Sequence, residues 1–225
     1  MNIIEAIHKR KSIRGYKNDP VSKETLKEIL KLAGRSPSAM NTQPWEFFVL
    51  SGDVLDRVRK ANVDKIKAGI VPHGEHSVTG WTKDSVYRTR QVELAMELFR
   101  LMGIEREDKQ KRSDWMERGF RFFDAPAAII VVTDKSLVES TPLIDIGIAI
   151  QTICLVALDY GLGTCIEDQG CLYPDSLREV AGIPDSKRII MAIAIGYPDL
   201  DFPANKIETT RVSVDDNTTW CGFQL

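Results

Sequence analysis

Arg10, Lys11, Ser12 and Arg14 place three cations and a hydroxyl within five positions. This donor set is dense enough to neutralise a phosphate and to hydrogen-bond its ester or a polyol chain. Taken alone, such a cluster also suits a solvated face near an N-terminus. Further along, Ser36-Pro37-Ser38-Ala39-Met40-Asn41-Thr42-Gln43-Pro44-Trp45 carries amides and hydroxyls on a backbone stiffened by two prolines. Asn41 and Gln43 can each donate and accept, which suits a heteroaromatic edge of alternating donors and acceptors. An ordinary helix-to-strand connection has the same composition.

Other chemistries find little in this chain. There is no Gly-x-Gly-x-x-Gly after a strand, no loop ending in Gly-Lys-Ser/Thr and no Gly-x-Ser-x-Gly elbow, so dinucleotide-fold, P-loop and α/β-hydrolase readings lose support. Cys154, Cys165, Cys171 and Cys221 form no Cys-x-x-Cys pair and read as reduced thiols. His73 and His76 bracket Gly74 and Glu75 without the further ligands a metal needs, so we expect no metal and a solvated loop there. With no Cys, His and acid grouping for covalent catalysis, the hard chemistry is expected to belong to a cofactor.

Periodicity outlines the elements that must position these groups. Ile3, Ile4, Ala6 and Ile7 predict a short helix over Asn2 to Lys9 that delivers the basic cluster. Ser22 reads as an N-cap, Leu26, Ile29, Leu30 and Ala33 as one apolar stripe, and Gly34 as the stop. Glu46 to Leu50 predicts a buried strand, and Ser51 caps a helix with Val54, Leu55, Val58 and Ala61 inside. Asn62 to Lys83 is polar and reads as irregular and mobile. Weaker helical patterns follow, one with Val86, Leu94, Leu98 and Leu101, the other with Trp115, Met116 and Phe120. Ala127 to Thr133 predicts a strand, Leu143 to Tyr160 a helix apolar on nearly every face, and strands follow Gly161 and span Ile189 to Ile195, with a short helix over Ser176 to Ala181 between them. The stretch 197–225 ends in Trp220 and Phe223, aromatics that gain little from an unattached tail, so it reads as an arm wrapping a neighbour.

The 225 residues are 43% hydrophobic, enough for a substantial core, and no linker or repeat divides them, so a single domain over 1–225 is expected. Lys and Arg number 30 against 32 Asp and Glu, which gives no global field for nucleic acid or an anionic membrane, so any anion site must be local. Apolar runs are too short to span a bilayer, and a soluble cytoplasmic protein is the expectation.

Taken in order, Arg10-Lys11-Ser12-Ile13-Arg14, then Ser36-Pro37-Ser38 with Asn41 and Gln43-Pro44-Trp45, resemble the nitroreductase family. Gly161-Leu162-Gly163-Thr164-Cys165 with Ile166 and Glu167 looks like that family's flavin-facing strand, and Asn205 to Arg211 like its C-terminal phosphate-binding stretch. The resemblance implies an α+β fold, a mixed sheet flanked by helices, in an intertwined homodimer with FMN at two interfacial sites. Around 62–121 it implies a helical lid, and 197–225 becomes the C-terminal arm. Arg10, Lys11, Ser12 and Arg14 would bind FMN from one subunit, and Pro37, Ser38, Ala39 and Asn41 from the other. The backbone of Cys165, Ile166 and Glu167 would lie beside the isoalloxazine, with Arg211 and Lys206 on the phosphate.

The activity implied is ping-pong reduction of nitroaromatic, quinone or related flat acceptors by NADH or NADPH, with no catalytic side chain, the chemistry being on flavin N5. Trp115, Phe120 and Phe122 would suit flat acceptors. Specialised relatives, a reductive dehalogenase of iodotyrosine type or a flavin-fragmenting enzyme, share the flavin landmarks, and so would a non-catalytic flavin-binding regulator.

Overall fold

The computed structural model describes residues 1–76 and 80–223, so residues 77–79 of the expected lid and 224–225 of the expected arm lie outside the described residues. Four strands, β1 (Glu46–Ser51), β2 (Ala127–Asp134), β3 (Gly163–Glu167) and β4 (Lys187–Gly196), form one sheet in the order β1-β2-β4-β3. All three strand pairs are antiparallel. The parallel contribution to the expected mixed sheet is a single bridge between Ser12 and Thr164.

The two-residue period of β2 divides the core. Ala127, Ile129 and Val131 face one side, where α2 (Lys23–Ala33) and α6 (Leu143–Asp159) cover them through Leu26, Ile29, Ile146 and Ile153. Ala128, Ile130 and Val132 face the other, covered by α3 (Gly52–Lys67), α7 (Pro174–Ala181) and Phe122. A strand buried on both faces reads as an unbroken apolar run, as Ala127 to Val132 does. The remaining helices are α1 (Ile3–Lys9), α4 (Val86–Leu101), α5 (Lys109–Phe120) and the short α8 (Val214–Asn217). Leu94, Leu98 and Leu101 of α4 pack on Ala204 and Ile207 in a smaller apolar cluster.

Local signals hold at several ends. Asn2 and Ser22 accept N–H bonds from Glu5 and Thr25 as N-caps. Ser51 stands at the N-cap of α3 but its side chain makes no capping bond. Three expectations are corrected. β1 is an edge strand, paired only with β2, so Leu50 alone is buried in it. The helix α3 runs on through Asn62 to Lys67, where Asn62 is buried and Lys60 pairs with Asp64 one turn on. The irregular segment beyond is tied down: the Tyr173 hydroxyl donates to the Ile70 carbonyl at 2.7 Å, His73 N–H to Leu172 at 2.8 Å, and Glu75 pairs with Arg178 and Lys135.

Helix α6 is not enclosed within the chain. Ile144, Gly147, Ile148 and Gln151 form an exposed stripe at helical spacing, with Ile144 at 75% exposure. Trp220 and Phe223 pack edge to face on each other, centroids 5.4 Å apart, and both remain exposed. Among the described residues, no helix is long and apolar enough to cross a membrane.

Candidate functional site

The basic cluster leaves α1 in extended backbone and lies along the outer edge of β3, where Ile13 N–H donates to the Thr164 carbonyl at 2.9 Å. Two glycines permit this approach. A Cβ at Gly163 would stand 2.5 Å from Ile13 Cγ1, and one at Gly15 would stand 2.1 Å from Phe202 Cγ. Tyr16 anchors the turn from behind, its hydroxyl donating to the Ile13 carbonyl at 2.8 Å, and burial pushes its phenol well above the ordinary range.

The C-terminal stretch is stapled to the same segment by Asn205. Its Oδ1 accepts the Arg14 N–H at 2.7 Å, and its Nδ2 donates to the carbonyls of Gly15 at 2.8 Å and Asp199 at 2.7 Å. Residues at opposite ends of the chain thereby share one cleft of about 630 Å³, lined by Arg10, Lys11, Ser12 and Arg14 on one side and Ile207 to Val212 on another. Helix α4 closes it with Arg90, Glu93, Leu94 and Glu97. The lining holds five cations, Arg10, Lys11, Arg14, Arg90 and Arg211, against three carboxylates, and Glu97 is already paired with Arg100 at 2.6 Å. The surplus suits a phosphate monoester. Arg14 also stacks its guanidinium 6.0 Å from the Phe123 ring centre, and Arg118 donates to the Arg14 carbonyl.

On β3 the side chains of Cys165 and Glu167 enter the core, while Ile166 is partly exposed. Burial pushes the Cys165 thiol up to about 12, which makes it inert as a nucleophile at neutral pH. Thr164 turns its carbonyl away from β4 toward Ile13, so the two-residue alternation turns the Ile166 backbone to the same open edge.

The second predicted cluster lies elsewhere. Pro37, Ser38, Ala39 and Asn41 do not line the cleft. Their loop is seated on α6: Ala39 N–H donates to Asp145 at 3.1 Å, and the Ser36 and Thr152 hydroxyls are 2.8 Å apart. Ser38 Oγ accepts Gln43 N–H at 2.9 Å, and Met40, Asn41 and Gln43 all have left-handed backbone, a strain that persists only where surroundings hold it. The loop therefore projects beside the exposed stripe of α6. Lys206 is exposed and outside the cleft lining, leaving Arg211 as its C-terminal cation.

The aromatic assignment is corrected. Phe120 and Phe122 are buried and Trp115 packs in the apolar cluster under α4. The exposed aromatics of this region are Trp81 and Tyr87, 6.4 Å apart at the start of α4. Sequence reading also missed Asn205 as a staple and the α4 face. The i, i+3, i+7 spacing of Arg90, Glu93 and Glu97 was the available signal for the latter.

A profile of the nitroreductase family matches residues 7–197. The chain is 32% identical to a nitrobenzene nitroreductase of Ectopseudomonas oleovorans, covering 97% of this chain and 96% of that protein. It is 33% identical to a chloronitrobenzene nitroreductase of Comamonas testosteroni, with the same coverage. Among solved structures it resembles an FMN and NADPH-dependent nitroreductase, NfnB, from Sphigopyxis sp. strain HMH, at a TM-score of 0.94 and 26% identity over 99% of this chain and 100% of that one. With matches extending across almost the whole chain in profile, sequence and fold, this protein belongs to the nitroreductase family.

Proposed function

We propose that this chain is an FMN-dependent oxidoreductase, working as a cytoplasmic homodimer, that uses NADH or NADPH to reduce nitroaromatic, quinone or related flat small-molecule acceptors. The observation that carries the reading is the cationic cleft in which Arg10 to Arg14 meet Arg211 beside the open edge of β3. Arg10, Lys11, Ser12, Arg14 and Arg211 would hold FMN there, and the flavin would supply the two-electron redox chemistry between nicotinamide and acceptor.

The protein's part is binding, orientation and electrostatics. Arg10, Lys11 and Arg211 neutralise the phosphate, Ser12 offers a hydroxyl to the ribityl chain, and Arg14 sets positive charge at the pyrimidine edge, where negative charge accumulates on reduction. The Cys165 to Glu167 backbone presents its amide edge to the ring, with the Ile166 N–H as the donor turned outward. Pro37, Ser38, Ala39 and Asn41 serve the site of a second copy. Their position outside the cleft and their seat on α6 beside its exposed stripe support that assignment. The unpaired thiols of Cys154, Cys165 and Cys171 are in keeping with a reducing compartment.

The test is direct. Purified protein should be yellow, release FMN on denaturation at about one per chain, and lose its visible flavin absorbance when NADH or NADPH is added without oxygen. Recovery of FAD, or of no flavin after reconstitution with FMN, would sink the proposal, and flavin that neither nucleotide bleaches would reduce it to flavin binding.

A further inference from the structure

Behind β3, away from the cleft, Glu167 points into the core and is 8% exposed. Its Oε2 accepts the Gly170 N–H at 2.8 Å, while Oε1 is buried without a partner. The pocket is tight: a Cβ on Gly170 would stand 2.3 Å from the Phe122 ring and 2.7 Å from Glu167 Oε1. Asn62 flanks the same glycine from α3, donating to the carbonyls of Gly170 at 3.1 Å and Phe120 at 3.0 Å, and its Oδ1 is likewise buried and unpartnered. Two orphaned acceptors thus bracket Gly170, and what the pocket lacks is a hydrogen.

The titratable groups that reach Glu167 are Asp168 beside it, Cys165 on its own strand, Cys171 on the turn after it and Tyr16 from the N-terminal segment. None is a cation. Arg14 acts on Tyr16 and Cys165 but is not among the groups acting on Glu167. An ionised carboxylate here would be a buried anion with one side-chain oxygen unsatisfied and no counter-charge.

We infer that Glu167 stands as an uncharged carboxylic acid behind β3, and that this keeps a fixed negative charge away from the strand edge facing the cofactor. Glu167 is then a positioning residue that sets the electrostatics of flavin reduction through the strand. The second half rests on the proposed seat of FMN against β3. In support, burial, with Asp168 beside it, pushes the Glu167 carboxyl up to about 8, against the backbone N–H groups of Gly170 and Gln169, which favour ionisation. A folded value above the ordinary 4.5 means that its contribution to stability is complete below 4.5 and is lost as pH rises through about 8. The folded protein gains its negative charge only as pH rises through about 8, and there a charge behind β3 would disfavour the reduced cofactor, which carries more negative charge than the oxidised one.

Three readouts test this on FMN-loaded wild type and Glu167→Gln, an isosteric neutral variant. Infrared spectra should show a protonated carboxyl band at neutral pH that fades as pH rises through about 8, a titration readable in wild type alone if the variant folds poorly. The urea midpoint of wild type should fall relative to the variant between pH 4.5 and about 8, and its flavin midpoint potential should fall below the variant's as pH rises through about 8. Absence of the band at neutral pH, with a stability gap flat in pH, overturns the inference. A band with a potential gap flat in pH overturns the role in tuning. If the protein takes up no FMN, the function proposed above and the tuning role fall together, while band and urea midpoint still decide whether Glu167 is neutral.

Discussion

At the scale of single residues, the cleft draws its cations from both ends of the chain. Arg10→Ala and Arg211→Ala should each weaken FMN by roughly one to two decades, the usual effect of losing one charge-assisted contact, measured by titrating apoprotein with flavin. Unchanged titrations for both would contradict the site. Lys206→Ala, outside the lining, should change little. The cations were legible because a dense cluster of charge is a local pattern. Asn205, Glu167 and Asn62 were not, because nothing local marks a polar residue as buried: Asn205 gains its partners from Arg14 and Gly15, 191 and 190 positions away. The core aromatics misled for the same reason, since Phe120 and Phe122 have the same composition whether they face a substrate or α3 and the sheet.

Among the elements, those whose pattern agrees with their burial were read well: α2 with its capped stripe, β2 with its unbroken apolar run. The edge strand β1 was misread because Phe47, Phe48 and Val49 are apolar yet covered on one side at most. The segment between α3 and α4 looked unstructured because its order comes from long-range contacts, a clamp on Glu75 among them. Arg178 Nη2 lies 2.7 Å from both Glu75 oxygens and Ile189 N–H donates to the same carboxylate at 2.8 Å. Burial would push Glu75 up, but Arg178, Ile189 and Lys135 outweigh it and hold the carboxyl below its ordinary 4.5. A lowered value means stability present above that range and lost as pH falls through the folded value. Glu75→Gln should therefore cost about 1 to 2 kcal/mol at neutral pH, the lower range for a charge-assisted bond partly open to solvent. In denaturant titrations the gap to wild type should close on acidification. A gap independent of pH would show that the clamp is not ionic. At the start of α4, exposed Tyr87 lies one helical turn before Arg90, which lines the cleft. Tyr87→Ala should raise KM for flat aromatic acceptors severalfold, while FMN affinity holds. An unchanged KM would remove Tyr87 from the acceptor's path.

For the whole molecule, the exposed α6 stripe and the loop beside it call for a second copy. If each flavin touches both chains, an Arg10→Ala chain mixed with an Asn41→Ala chain should regain activity, since both lesions fall in one of the two heterodimer sites and leave the other intact. About half the wild-type rate per heterodimer is expected from one intact site of two, and no recovery despite proven subunit exchange would show that each chain builds its own site. The Asn205 staple has a consequence in the life of the chain. In synthesis order all four strands, β1 to β4, precede Asn205, so the sheet's own sequence is made before the side chain that ties Arg14 and Gly15 to the C-terminal stretch. Until the stretch from Asn205 to Arg211 has been made, the cleft lacks one of its walls and Arg14 one of its anchors. Premature termination a few codons before Asn205 should yield a product that keeps the sequence of all four strands and loses one wall of the cleft, so its uptake of FMN, and with it the yellow colour, should drop.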